Sequence, residues 1–139
     1  MTASEYILDT WAWWEVLAGT DAGRAISRRF LARSSTSTLA MAELSAKLAN
    51  LGQDDRIDAV MDAIRGASRV VPVTEQDAVA AGPLRRELRQ ARPAASLADA
   101  LMLATARRLQ CALVSNDACF QGQADVVRLK VAPPARQRA

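Results

Sequence analysis

Short apolar runs alternate with helix-patterned stretches along this chain, and that alternation narrows its possible folds more than any other feature. Tyr6-Ile7-Leu8 precedes a helical stretch over 11–17, for which Thr10 is the expected N-cap and Gly19 the end. Asp21 is placed to cap a second helix, with Ala25, Ile26, Phe30 and Leu31 on its apolar side and Arg24, Arg28, Arg29 and Arg33 opposite. Residues 34–38 are polar and partly β-branched, and they fit either a short strand or a loop. Helices follow over 39–51, ended by Gly52, and over 54–64, where Ile57, Val60, Met61 and Ile64 form one face. Val70-Val71-Pro72-Val73 reads as a strand that its proline pushes toward an edge or end of a sheet. Thr74 caps the next helix, which Gly82-Pro83 is expected to break or kink before a segment over 84–92 stopped by Pro93. A helix over 96–109, a strand over 112–114 and a last strand over 126–129 complete the pattern.

Strands apolar throughout, separated by helices, imply a parallel sheet covered on both faces and joined by right-handed crossovers. At 139 residues the chain makes one domain. Its expected span is 1–132, with a short flexible tail over 133–139 that begins at Pro133-Pro134. Function in such sheets collects outside the carboxyl ends of the strands. Asp9 directly follows the first strand, Asp117 follows the strand over 112–114, and Asp99 starts the helix leading into that same strand. If those two strands are neighbours, three carboxylates converge at one end of the sheet. Glu43 sits among Leu39, Met41, Ala42, Leu44 and Ala46; a lone glutamate on a helix usually faces solvent, but so apolar a setting also suits a buried, partnered acid.

Composition sharpens this reading by exclusion. There are 0 histidines, which removes Ser-His-Asp and Cys-His nucleophiles, imidazole acid–base pairs and His-ligated zinc or haem. The 2 cysteines, Cys111 and Cys119, are too few for thiolate metal sites or a disulfide framework. Chemistry must then rest mainly on carboxylates, arginines and hydroxyls. Crowded carboxylates repel unless a cation intervenes, and a hard divalent ion such as Mg²⁺ or Mn²⁺ resolves the conflict. Such an ion activates water and stabilises charge on phosphoryl oxygens, so the pattern points to metal-dependent phosphodiester hydrolysis. The net charge of +3, mostly from arginine, is compatible with a polyanionic partner and equally with a codon preference for Arg. Met1 to Ser4 has no basic start, and no apolar run approaches the ~20 residues of a spanning helix. A cytoplasmic location with reduced thiols is the expectation.

Each acid also has a purely structural reading. Ser96-Leu97-Ala98-Asp99 fits a capping box, and Asp9 and Asp117 fit turn or cap residues. On a helix, Trp11 and Trp14 share a face while Trp13 turns aside. One or two of these rings belong in the interior, and an exposed one suggests an interface.

Four stretches resemble the PIN-domain family. They are Tyr6-Ile7-Leu8-Asp9-Thr10-Trp11, Thr38-Leu39-Ala40-Met41-Ala42-Glu43-Leu44, Ser96-Leu97-Ala98-Asp99-Ala100-Leu101 and Leu113-Val114-Ser115-Asn116-Asp117-Ala118. They occur in order over nearly the whole chain, and the similarity is greatest to VapC-type toxin ribonucleases of type II toxin–antitoxin pairs. The resemblance implies a three-layer α/β/α sandwich with a central parallel sheet and an endoribonuclease dependent on Mg²⁺ or Mn²⁺. It further implies Asp9 and Asp99 as principal metal ligands, Glu43 and Asp117 completing the catalytic cluster, and Thr10 and Ser115 as supporting hydroxyls. Some members carry a further acid just beyond the fourth; here Ala118 and Cys119 stand there, leaving a minimal quartet. RNA, a cognate antitoxin and a second copy of the chain are the implied partners. Arg85, Arg86 and Arg89 are candidates for phosphate contacts, with a solvated helix face as the alternative. The rival function is an inert PIN-like module that binds RNA or protein. A phosphatase or receiver domain is disfavoured, because the first strand lacks their paired early acids.

Overall fold

A computed structural model describes residues 4–129; the tail expected over 133–139 lies outside them. The elements are β1 (Tyr6–Leu8), α1 (Thr10–Ala18), α2 (Asp21–Arg29), β2 (Ser34–Ser37), α3 (Thr38–Asn50), α4 (Ile57–Ala67), β3 (Arg69–Val71), α5 (Glu75–Ala91), α6 (Leu97–Arg108), β4 (Ala112–Ser115) and β5 (Val126–Arg128). The five strands form one parallel sheet in the order β3-β2-β1-β4-β5. β1 pairs with β4 from Tyr6 opposite Ala112 to Leu8 opposite Val114, so the strands that deliver Asp9 and Asp117 are neighbours.

Period-two alternation splits the core across the sheet. Ile7 and Leu113 face a layer built from α5 and α6, including Ala81, Leu84, Leu88 and Leu103. Leu8 and Val114 face the opposite layer, with Trp13, Ile26, Leu44, Val60 and Ile64 from α1 to α4. The result is a three-layer α/β/α sandwich. Each aliphatic side chain buried this way stabilises the fold by about 1.5–3 kcal/mol relative to exposure. Among the described residues no helix is long and apolar enough to cross a membrane.

β2 departs from the expectation of apolar strands. Ser34, Ser35, Thr36 and Ser37 are all buried, in a strand with partners on both sides. Backbone pairing satisfies the main chain, distant groups bond the hydroxyls of Ser34 and Thr36, and Ser37 Oγ accepts the Leu39 N–H at 3.1 Å. Ser68 Oγ lies 2.8 Å from Ser34 Oγ and 2.7 Å from Thr36 Oγ1. The Trp13 indole N–H donates to Thr36 Oγ1 at 2.9 Å. Trp13, the ring turned aside on its helix, is thus the fully buried one. Trp11 and Trp14 are half-buried, and the Lys47 ammonium sits 4.1 Å from the Trp14 ring centroid.

Three local expectations need correction. The N-cap of α1 is Asp9, not Thr10, because the extended backbone at Asp9 lets its carboxylate accept the Ala12 N–H at 2.7 Å. The cap of α2 is Thr20, whose hydroxyl accepts the Gly23 N–H at 3.0 Å; Asp21 is the first helical residue. α5 runs unbroken through Gly82-Pro83. Ala81, Leu84 and Leu88 are buried in the α5–α6 layer and hold the helix together, while exposed Pro83 loses only a solvent-side backbone bond. The strand read over 70–73 is Arg69–Val71, which lies at the sheet edge as expected and ends before Pro72.

Gly23 allows α1 and α2 to touch. A Cβ there would lie 2.0 Å from the Glu15 carbonyl oxygen and 2.8 Å from Val16 N, both backbone atoms that cannot swing away. Gly23→Ala gains under about 1 kcal/mol of helix propensity and forces the two helices apart. Overpacking wins, and a net loss of about 2 kcal/mol is expected from urea denaturation. Unchanged stability would mean the two helices are not held at this separation.

Candidate metal centre

At the carboxyl ends of β1 and β4, where the strand order changes direction, a cleft of about 190 Å³ opens. Its lining includes Asp9, Thr10, Trp11, Glu43, Asp99 and Asp117. Each acid arrives by a different local device. Asp9 ends β1 and caps α1. Asp99 is the third residue of α6, and its Oδ2 accepts the Ser96 N–H at 2.9 Å in a complete capping box. Asp117 follows β4 and accepts the Cys119 N–H at 2.9 Å, opening a single 3-10 turn over Ala118–Phe120. Glu43 comes from the second turn of α3, half-buried, and accepts a 2.7 Å hydrogen bond from the Thr10 hydroxyl. The capping and site readings of Asp9, Asp99 and Asp117 are therefore compatible: the bond that fixes each carboxylate also starts a helical turn.

Electrostatics set Asp9 apart. It is 8% exposed, whereas Asp99 is half-buried and Asp117 exposed. Burial pushes its pKa up to about 7, against the pull of hydrogen bonds from the Ser115 hydroxyl and the Ala12 N–H. The nearby charges of Asp117 and Glu43 raise it further. Ser115 Oγ also accepts the Asp117 N–H at 3.1 Å, so one hydroxyl touches both acids. A divalent cation fits this donor set, because its charge would offset both the burial of the Asp9 carboxylate and the added repulsion from Asp117 and Glu43.

A larger groove of about 640 Å³ lies along α5 and α6. Its buried carboxylate, Asp77, is already engaged by Arg108 Nε at 2.7 Å, by the Thr105 hydroxyl and by the Thr74 N–H. These bonds outweigh burial and hold Asp77 below the usual carboxylate range. The buried acid of that groove is therefore saturated by its own neighbours, unlike the acids gathered in the smaller cleft. Arg85, Arg86 and Arg89 do not line the acid cleft: Arg86 borders the larger groove, and Arg89 donates to the Ala95 carbonyl at 3.2 Å.

Two neighbours of the acids escaped sequence reasoning. Trp11 lines the cleft directly. Cys119 is 1% exposed, and its sulfur and one carboxylate oxygen each of Asp99 and Asp117 all lie within 4.8 Å of one another. Burial and the two acids push its thiol pKa far up. Counting cysteines tests for all-sulfur sites and overlooks a single sulfur placed among carboxylates. The available signal was its position two residues beyond Asp117.

The family model for the PIN domain matches residues 6–125. No curated protein matches the sequence. Among solved structures, a toxin–antitoxin complex from Klebsiella pneumoniae is similar, with a TM-score of 0.70 at 20% identity over 88% of this chain and 96% of that one. DNA-bound VapBC from Salmonella typhimurium gives 0.71 at 19% identity, over 91% and 97%. VapC20 from Mycobacterium tuberculosis, described as a toxin that cleaves the sarcin–ricin loop, gives 0.66 at 21% identity, over 88% and 98%. At these identities the likeness is one of fold.

Proposed function

This chain belongs to the PIN-domain family, and on that premise we propose that it is a divalent-cation-dependent endoribonuclease, the toxin of a toxin–antitoxin pair. The gathering of Asp9, Glu43, Asp99 and Asp117 around one cleft carries this reading. The similar folds of toxin–antitoxin proteins, one of them described as cleaving the sarcin–ricin loop, support it. A cognate antitoxin and a second copy of the chain are the proposed protein partners, and residues 1–132 the proposed single domain.

Asp9 and Asp99 are the proposed principal ligands of Mg²⁺ or Mn²⁺, with Glu43 and Asp117 completing the set directly or through water. Such an ion, when bound, lowers the pKa of water and stabilises charge on phosphoryl and leaving oxygens. Glu43 and Asp117, which line the same cleft, are the proposed groups that orient the attacking water or take its proton. Thr10 fixes the Glu43 carboxylate through its 2.7 Å bond. Ser115 restrains Asp9 and the backbone at Asp117, so both enter the reaction in set positions.

Incubating the purified protein with single-stranded and structured RNAs tests the proposal. Fragments should accumulate with Mg²⁺ or Mn²⁺ and stop appearing when EDTA is added. RNA that is bound but left intact with either ion would overturn the enzyme reading in favour of a binding module.

A further inference from the structure

We propose that Trp11 is a stacking platform for one unpaired RNA base beside the acids, so that the centre selects single-stranded over duplex RNA. This rests on the RNA-cleaving reading of the cleft and adds what governs its choice of strand. The carrying observation is that Trp11, half-buried, lines the same cleft of about 190 Å³ as Asp9, Glu43, Asp99 and Asp117. Packing accounts for the other two indoles of α1. Trp13 is fully buried and donates its N–H to Thr36. Trp14 carries the Lys47 ammonium over its ring and lines a separate apolar pocket with Leu17, Leu48 and Leu51. Trp11 alone of the three borders the acids.

The local chain explains how the ring gets there. Asp9 caps α1, which makes Thr10 and Trp11 the first two helical residues. Thr10 bonds Glu43, so three consecutive residues supply a proposed ion ligand, the support of a second acid and an aromatic ring. Part of the indole packs against the core layer of α1 to α4. A ring held in this way loses little rotamer freedom when a base lands on it. Met102 and Phe120, both buried in the α5–α6 layer, also line the cleft. The cleft thus joins four carboxylates to apolar walls. That division matches a nucleotide, whose phosphate seeks the cation and whose base seeks an apolar face.

Size and chemistry narrow the ligand further. The cleft is smaller than the roughly 300 Å³ at which pockets for drug-sized ligands begin, and it suits one base at a time. Every base has a π-face, so stacking on an indole tolerates any sequence. Within a duplex, neighbouring base pairs already cover both faces of each base, and only an unpaired base is free to leave the stack for an aromatic side chain.

A double-mutant cycle between the indole and the base tests the proposal. A short single-stranded RNA is made abasic at one nucleotide after another, and kcat/KM is measured with Mg²⁺ for the parent, Trp11→Leu and Trp11→Phe. Leucine keeps an apolar side chain without a π-face, and thermal melts establish that both variants are folded. One abasic position beside the cut should cost the parent at least about tenfold, and Trp11→Leu should cost as much on the intact RNA, chiefly through KM. On that abasic RNA, Trp11→Leu should cost no more than about twofold, because the partner of the ring is already gone. Trp11→Phe should stay within about threefold of the parent, and the same sequence in a duplex should be cut at least about tenfold more slowly. Additive losses, equal cutting of the duplex, or Trp11→Leu acting like the parent would overturn the proposal; the last outcome would assign the ring to packing or to a protein partner. Cleavage without coupling sinks the stacking role alone. If RNA is bound but left intact, the same cycle is read from dissociation constants by fluorescence anisotropy. Coupling there keeps the platform and sinks the nuclease reading, and its absence sinks both. RNA neither bound nor cut also sinks both.

Discussion

RNA cleavage by an Asp9→Asn variant should fall at least about a thousandfold below the parent's while the fold survives intact. The two halves of that expectation have separate causes. Asparagine keeps an oxygen where Asp9 Oδ1 accepts the Ala12 N–H, and it caps helices about as well as aspartate. What it removes is the charge that the proposed cation needs. Asp99→Asn repeats the experiment at the second helix start, where the amide oxygen can still accept the Ser96 N–H. Single-turnover cleavage at saturating Mg²⁺, alongside thermal melts, measures both properties. If either variant cuts within about tenfold of the parent, the proposed ligand set is wrong.

In EDTA, the parent should lose on the order of 3 kcal/mol of stability between pH 5 and pH 8. Asp9 is the cause. Its carboxyl ionises in the unfolded chain near the ordinary value of 3.8, but in the folded protein only near 7. Below pH 4 both states hold the proton and Asp9 contributes no slope. Between 4 and 7 the unfolded chain has released the proton while the folded chain retains it, so rising pH favours unfolding. Above 7 both are ionised and the loss levels off. Asp77 has the opposite sign, because its pKa is lowered in the fold. Its stabilisation is complete above the ordinary carboxylate range and does not blur the window from 5 to 8. Urea denaturation across that window measures the slope, and Asp9→Asn should flatten it. Mg²⁺ at about a hundred times its dissociation constant should restore about 2.7 kcal/mol at pH 8, and much less at pH 5, where a proton competes for the same oxygens. A profile that stays flat or climbs with pH in EDTA contradicts the buried, charge-crowded setting described for Asp9.

The sheet was legible in the sequence because Tyr6-Ile7-Leu8, Val70-Val71 and Ala112-Leu113-Val114 carry the apolar signature of buried strands. Chain order also announced that Asp9 and Asp117 follow strands, and the observed pairing of β1 with β4 brings them together. β2 was harder to read, since the hydroxyls of Ser34 and Thr36 find their partners only when Ser68 and the Trp13 indole arrive from elsewhere in the chain. No local pattern announces such remote partners. α5 reversed a local rule for the same reason: contacts with α6 exceed the cost of one lost hydrogen bond at Pro83. Within the cleft, the sequence offered the Thr10 hydroxyl both a capping role in its own helix and, by resemblance, a supporting role at the acids; the fold gives it to Glu43, 33 residues away.

The double duty of Asp9 and Asp99 bears on heredity. Aspartate and asparagine codons differ by a single nucleotide, so one base change at either position would disarm the proposed enzyme and leave its architecture standing. On the toxin reading, a cell escaping by that route would make no misfolded debris. It would keep an inactive protein still able to occupy whatever partner had restrained the active one.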